Sequence, residues 1–570
     1  MGVCRDMKRV VNEEILVFTD KYYQQKDKPL HIIYEAPTGY GKTSLAPQLA
    51  SIVEEAGLST SYIHILPMRS MVRKIYEEVA TKINKTTCYQ AGGLFLAGKN
   101  PFLACNANIV TFDSYMLNLI RVGVEEVARH YESARTMIFT STIIYDEAHL
   151  YGGDPGNPEE SLYTSFLVSL ETVALANSPV IVMTATLPKT LAYRIYEELT
   201  RISRINGSTV LWIRYGKAIK SDNINSGIKY IDREYDNLVN NVKWYTEITR
   251  DPGLNNICNT IIEEASTGKK ILVIMNKPVR AVKIYECLSQ KGLKPLLIHG
   301  RMKYGEREEL EKRINESNIL VATQVVEAGI NVDYDVLYTD IAPISNLIQR
   351  AGRVNRWFNK PEGKVVIIYD KESYDNIYPD NIVVTTLNTI KKRVDKRKNS
   401  INWRSPYTCY ELIEEVYQKQ AIQPIYSSII DLEVLARTSY ADRKTVYRTI
   451  ASYCYRLENP IRGSLLIPLI HLTDDMDKYE LYRVYENTIP ASFSWIITNR
   501  KQLFPDKIKA LILKYDKESG ETIITEEPIG STVDDLKNKV CRYISWPKRE
   551  LFLGLIVKAE AYVEKRGLLV

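Results

Sequence analysis

The chain has 570 residues, more than one hydrophobic core sustains, so three or four domains are expected. Its hydrophobic content of 45% is that of a globular protein, and no apolar run reaches the length of a bilayer span, so no membrane-spanning helix is expected. The net charge of +6 is mildly basic and suits a polyanion partner without requiring one.

The segment Met1 to Asp6 has no apolar signal core and no Ser or Thr at position 6 for myristoylation, so a cytoplasmic protein is expected. Eight cysteines lie scattered without a Cys-x-x-Cys pair. That spacing indicates neither a zinc site nor a disulfide framework, and reduced, mostly buried thiols are the expectation.

In chain order, His31 to Glu35 is a β-branched run that ends at Ala36-Pro37-Thr38-Gly39-Tyr40-Gly41-Lys42-Thr43, and Ser44 to Glu55 then has helical character. Strand, glycine turn and helix form the context of a phosphate-binding loop. Glycine lets backbone N–H groups wrap phosphate oxygens, Lys42 reaches the β and γ phosphates, and the Thr43 hydroxyl holds magnesium. Tyr62 to Leu66, Thr142 to Tyr145 and Val180 to Met183 are further strand-like runs, each ending directly before a polar motif. Four motifs at four strand ends of a parallel sheet point to one crevice.

Asp146 and Glu147 are adjacent carboxylates at one such end. Asp146 is the candidate magnesium ligand, and Glu147 the group that orients and deprotonates an attacking water. His149 either couples this site to the next motif or satisfies a loop hydrogen bond. Thr184-Ala185-Thr186 offers hydroxyls at 184 and 186 that can bond His149 or Asp146 and relay the nucleotide state.

Ser203 to Asn255 is a polar, Tyr-rich bridge without an assigned element. Lys270 to Met275, Lys294 to Ile298, Asn318 to Ala322, Val336 to Thr339 and Lys364 to Tyr369 read as five strands of a second α/β lobe. Gln349, Arg353 and Arg356 are spaced to share one helix face. Arginine's fixed planar charge suits the negative charge that spreads in phosphoryl transfer, and on the second lobe these groups reach a γ-phosphate only when the lobes close. Arg69, Thr111, Ser114, Asn276, His299, Arg301 and Thr323 sit at loop positions where a nucleic-acid strand would cross both lobes. Lys391 to Lys398 is a basic linker or exposed helix, and residues 400 to 570 mix helical periodicity with a hairpin at Ser519-Gly520. The expected units are residues 1–205, 206–372 and 373–570.

Together the phosphate loop, Asp146 to His149, Thr184 to Thr186 and Gln349 to Arg356 resemble a superfamily 2 helicase. Thr323-Gln324-Val325-Val326-Glu327-Ala328-Gly329, Asp333, and Asp340-Ile341-Ala342-Pro343 running into Gln349 to Arg356 resemble one family within it, the helicase component of type I CRISPR interference. The resemblance covers roughly residues 30 to 370. It implies two tandem RecA-like parallel-sheet lobes, followed by a mixed α/β, mainly helical C-terminal accessory domain. It implies ATP and Mg2+ as cofactors, with Gly329 and Asp333 joining the ATP site, and 3′-to-5′ movement on single-stranded DNA. It further implies recruitment by a guide-RNA surveillance complex. Two departures stand out. Asn331 replaces an Asp common in the family, and none of the six histidines is followed by Asp, as a histidine–aspartate nuclease requires. The resemblance is therefore to the split, archaeal type I-A form, which works with a separate HD-type nuclease subunit. The alternatives are a superfamily 2 helicase in DNA repair or RNA handling, or an ATP-gated scaffold that recruits a nuclease.

Overall fold

The computed structural model describes residues 9–82, 85–92, 98–120, 131–151, 160–221, 228–327, 329–396, 401–418, 432, 443–459, 461, 465–472, 480–516, 521–545 and 550–568. Its first sheet is built from β1 (Leu30–Glu35), β2 (Ser61–Leu66), β3 (Thr87–Gln90), β4 (Ala107–Thr111), β5 (Ser141–Tyr145), β6 (Val180–Thr184), β7 (Thr209–Arg214) and β8 (Lys217–Ser221). The spatial order is β3-β4-β2-β5-β6-β1-β7-β8, parallel throughout except for the β7–β8 pair. Every residue of β1, β2, β5 and β6 is buried. Burial on both faces explains why these strands read as continuous apolar runs rather than alternating ones. Because β5, β6 and β1 are neighbours, the motifs at their carboxyl ends are brought together.

The second sheet contains β9 (Lys243–Arg250), β10 (Ile271–Ile274), β11 (Leu296–Ile298), β12 (Ile319–Ala322), β13 (Val336–Asp340) and β14 (Glu362–Tyr369). Its order is β11-β12-β10-β13-β14-β9, and all its pairs are parallel. Beyond it lies a mixed five-stranded sheet of β15 (Leu466–Ile470), β16 (Thr488–Ser492), β17 (Ile508–Tyr515), β18 (Thr522–Gly530) and β19 (Glu550–Ile556), in the order β16-β15-β19-β17-β18. This third unit is packed with helices that include Arg443–Tyr455 and Val533–Ser545.

Several expectations are corrected. The first sheet runs on to Ser221, so residues 209–221 of the polar bridge belong to the first lobe; Leu30↔Thr209 through Glu35↔Arg214 pair in register. The second lobe likewise extends past 372. Helices Asp380–Lys396 and Pro406–Tyr417, with the segment between them, bury Ile382, Ile390, Trp403, Leu412 and Ile413 in its core. The basic run to Lys396 is the end of the first of these helices, where Arg393 pairs with Glu411 and Glu415; Arg397 and Lys398 lie outside the described residues. Ser519 and Gly520 also lie outside them, although the strands on either side pair antiparallel as far as Tyr515↔Thr522.

The cysteines are not all reduced thiols. Cys88–Cys105, Cys258–Cys287 and Cys454–Cys541 are disulfides, with Cα atoms 5.8, 6.4 and 5.5 Å apart, and Cys409 is a buried free thiol. The pairs are 17, 29 and 87 residues apart, and only tertiary packing brings them together. No helix among the described residues is long and apolar enough to cross a membrane.

Candidate active site at the lobe interface

The loop between β1 and helix Lys42–Glu55 turns on Gly39 and Gly41, whose φ values of +77° and +92° favour glycine. Lys42 begins the helix, and its ammonium donates to the carbonyl oxygens of Ala36 (2.8 Å) and Pro37 (3.1 Å). Burial lowers its pKa, opposed by the nearby carboxylates of Glu147 and Asp146. Across the crevice, the Thr43 hydroxyl donates to Asp146 Oδ2 at 2.8 Å. His64 Nε2 lies 3.2 Å from the same oxygen, and Asp146 Oδ1 accepts the Glu147 backbone N–H at 2.8 Å. Burial pushes Asp146 up, but His64, Thr43 and Lys42 outweigh it and hold the carboxyl below its ordinary range. A hydroxyl and an ionised carboxylate side by side are the hard oxygen donors that suit magnesium.

Glu147 occupies left-handed backbone, φ +50°, which costs a non-glycine residue roughly 1–3 kcal/mol. Its Oε2 is buried without a hydrogen-bond partner, and burial raises its pKa while Lys42 opposes. A strained, desolvated carboxylate beside a cation has the properties of a general base.

His149 lies at the centre of a network that crosses the lobes. Its Nδ1 is 3.3 Å from Thr184 Oγ1, and its Nε2 is 3.2 Å from Gln349 Nε2. Gln349 Nε2 also donates to Thr186 Oγ1 at 3.3 Å. Because the Gln349 amide is the donor, Nε2 of His149 must accept and its proton belongs on Nδ1. Burial supports that neutral form by lowering the His149 pKa to about 3.

The arginines differ from the sequence expectation in geometry. Helix Ile344–Ala351 ends before Arg353 and Arg356, so only Gln349 is helical and the two arginines lie in the turn that follows. Arg353 Nε donates to the Val326 carbonyl at 3.1 Å, and burial lowers its pKa to about 10 while Glu147 opposes. Arg356 has its Nε and Nη1 buried without partners. Asp333 accepts the Arg356 backbone N–H at 2.6 Å, and its pKa is raised to about 6 by burial. Gly329 faces the first lobe: a Cβ there would lie 2.8 Å from Met71 Cγ and 3.1 Å from Ser70 Oγ.

Three further residues emerge from the structure. His64 supports Asp146. Arg350, fully buried, pairs with Glu327 at 2.7 Å and donates to Thr339 and Asn276, which organises the second-lobe motifs from within. Arg404 reaches the phosphate loop, its Nη1 3.1 Å from Thr38 Oγ1. The sequence string Gln349 to Arg356 contains Arg350 but gives no reason to rank it, and nothing local marks His64 or Arg404.

The nucleic-acid candidates divide into two groups. Arg69, Thr111 and Ser114 line a cleft of about 460 Å³, together with Tyr304 and Arg307 of the second lobe and Tyr485 and Pro490 of the third unit. Asn276, His299 and Thr323 do not line it, and all three are buried. Asn276 is held by Arg350 and the Ile341 carbonyl, and His299 lies 2.9 Å from the Arg566 carbonyl oxygen. Arg301 packs over the Trp495 ring at 4.4 Å.

Two parallel-sheet lobes, with a candidate phosphate loop on one, arginines on the other and hydrogen bonds between them, agree with the expected resemblance to a superfamily 2 helicase. Residues 21–195 match the DEAD/DEAH box helicase family, and residues 267–359 match the C-terminal part of the CRISPR-associated nuclease/helicase Cas3. Two separate segments of the chain are thus similar to helicase families, the second of them to the C-terminal part of Cas3. It is 25% identical over 419 residues to a CRISPR-associated helicase Cas3 of Thermoproteus tenax, covering 69% of this chain and 64% of that one. It is 22% identical over 469 residues to a CRISPR-associated nuclease/helicase Cas3 of Methanothermobacter thermautotrophicus, covering 75% of this chain and 51% of the relative. The chain thus spans less than two thirds of these relatives' lengths. The fold is similar to that of T. fusca Cas3 with ADP, at a TM-score of 0.60 and 16% identity over 86% of this chain and 64% of that one.

Proposed function

We propose that this chain is an ATP-dependent translocase or helicase on single-stranded DNA that serves type I CRISPR interference. The observation that carries this reading is the Thr184–His149–Gln349–Thr186 network beside Glu147. It ties the group that would activate water to a residue of the opposite lobe, so hydrolysis and lobe movement become one event. Lys42 and the loop amides would hold the phosphates, and Thr43 and Asp146 would hold Mg2+. Bound there, Mg2+ would supply positive charge against the phosphates. Glu147 would take the proton of the attacking water, while Arg353 and Arg356 would stabilise charge on the γ-phosphate. In this reading a guide-RNA surveillance complex supplies the DNA; one similar structure, at a TM-score of 0.57, is of a CRISPR RNA-guided surveillance complex. In this reading cutting is assigned to a separate HD-type nuclease subunit.

The test compares phosphate release and nucleotide binding in Lys42→Ala and Glu147→Gln. Lys42→Ala is expected to abolish hydrolysis with the fold intact. Glu147→Gln is expected to bind nucleotide and lose turnover; normal turnover would remove it as the base. Single-stranded DNA should stimulate the wild type, and its binding should weaken with salt by a log–log slope of about −0.7 for each phosphate neutralised. Stimulation by RNA alone would favour a helicase of RNA handling instead.

A further inference from the structure

Arg404 comes from the segment between the two helices that follow the second sheet, outside every helicase motif, yet it ends on the phosphate loop. Its guanidinium donates from Nη1 to Thr38 Oγ1 (3.1 Å) and the Gly352 carbonyl (3.2 Å), and from Nη2 to the Arg356 carbonyl (3.4 Å). It therefore bridges the first-lobe loop and the second-lobe turn that carries Arg353 and Arg356. The approach is close: a Cβ on Gly39 would lie 3.3 Å from Arg404 Nη2, and one on Gly352 would lie 2.9 Å from Thr38 Oγ1.

The side chain is 3% exposed, its Nε has no hydrogen-bond partner, and among the described residues it has no carboxylate in ion-pair contact. Arg350 shows what a structural arginine looks like in this fold: it is buried too, but paired with Glu327 and bonded on every nitrogen. A buried guanidinium balanced only through space, here by the Asp333 carboxylate, is costly, and an anion beside it offsets that cost. Arg353 and Arg356 likewise have no carboxylate in ion-pair contact among the described residues, although Glu147 and Glu327 act on Arg353 through space. Electrostatic reach agrees, since Arg404 contributes to lowering the pKa of both Lys42 and Arg353.

The backbone at this point is fixed beforehand. Asn402 Oδ1 accepts from the backbone N–H groups of Arg404 and Ser405 (both 3.1 Å). Trp403 is buried in the second-lobe core, and its Nε1 donates to Thr246 Oγ1 at 3.0 Å. Ser405 caps helix Pro406–Tyr417 by accepting from Thr408 N–H. The guanidinium packs over Phe358 at 4.9 Å. A side chain held this firmly can meet an anion at little further cost in conformational entropy.

We propose that Arg404 is a third phosphate-facing arginine of the nucleotide site, which exchanges its Thr38 contact for the terminal phosphate of a bound nucleoside triphosphate. The segment after the second lobe thereby senses whether ATP or ADP occupies the site. This rests on the ATP reading above.

The experiment measures the affinity of fluorescent ATP and ADP analogues for wild type, Arg404→Lys and Arg404→Gln, with the melting temperature of each chain without nucleotide. Arg404→Lys keeps the charge but not the planar fork, and should melt close to wild type. Both variants should lose about tenfold or more of the preference for ATP over ADP, because a charge-assisted bidentate contact is replaced by a point charge or none. An unchanged ATP-to-ADP ratio in both would overturn the proposal. So would failure of both to fold, which would make Arg404 a structural brace. If the wild-type chain bound neither analogue, the ATP reading itself would fall, and this proposal with it.

Discussion

His31 shows how burial of one side chain contributes to the acid sensitivity of the first lobe. It is fully buried on β1, its Nε2 3.1 Å from Ser208 Oγ, its Nδ1 accepting the Val180 N–H at 3.3 Å. Burial lowers its pKa from 6.5 to about 4. The unfolded chain therefore binds a proton between these values that the native chain does not, and stability falls as pH falls through that window. The full shift corresponds to roughly 3 kcal/mol. Asp333 and Asp340, raised to about 6 by burial, act in the opposite sense over part of the range. The clean measurement is thus a difference. Urea unfolding from pH 7 to pH 4 should show His31→Gln losing less stability on acidification than wild type; parallel pH profiles would count against this role for His31.

At the scale of elements, the decisive contact is between the end of helix Ile344–Ala351 and the phosphate loop. Gly352 has no room for a side chain, since a Cβ would meet Thr38 Oγ1 at 2.9 Å and two carbonyl oxygens of its own helix at 3.2 Å. Its φ of −61° is one that alanine adopts freely, so the constraint is packing rather than backbone strain. Gly352→Ala should hold the lobes slightly apart at the place where Arg353 must approach Glu147. We expect turnover to fall by about tenfold or more, since a misplacement of about 1 Å costs on the order of 10²-fold. The melting temperature should change little. Phosphate release and a thermal melt on the same preparation check this, and wild-type turnover would show that the close approach is not needed for chemistry.

At the scale of the whole molecule, each of the three units contains one disulfide among the described residues, and none of these joins two units. The cross-links brace each unit while leaving the lobes free to move relative to one another. Closing loops of 17 to 87 residues is worth roughly 3–5 kcal/mol apiece in the chain-entropy account. Reductant should therefore lower the unfolding temperature, with little effect on turnover well below it. Alkylation of the unfolded, unreduced chain should leave six of the eight cysteines unlabelled. Full labelling, or a melting curve unaffected by reductant, would contradict the pairing.

The sequence by itself located the candidate residues of the first lobe. A phosphate loop and a carboxylate pair are each set within a few residues by the strand before them, and β1, β5 and β6 begin and end within a residue or two of the apolar runs that announce them. Gln349, Arg353 and Arg356 were legible as a group for the same reason, although the helix stops short of the arginines. Tertiary structure alone decided the rest. Lys217–Ser221 has no strong pattern of its own and becomes a strand by pairing with Thr209–Arg214, whose apolar run Val210 to Ile213 lies inside the stretch read as a polar bridge. Asn276 and His299 read as surface polar groups until Arg350 and Arg566 are folded over them. Arg404 is 366 residues from Thr38, and the disulfide partners are up to 87 apart. Such contacts depend on where the chain returns, which local periodicity does not encode.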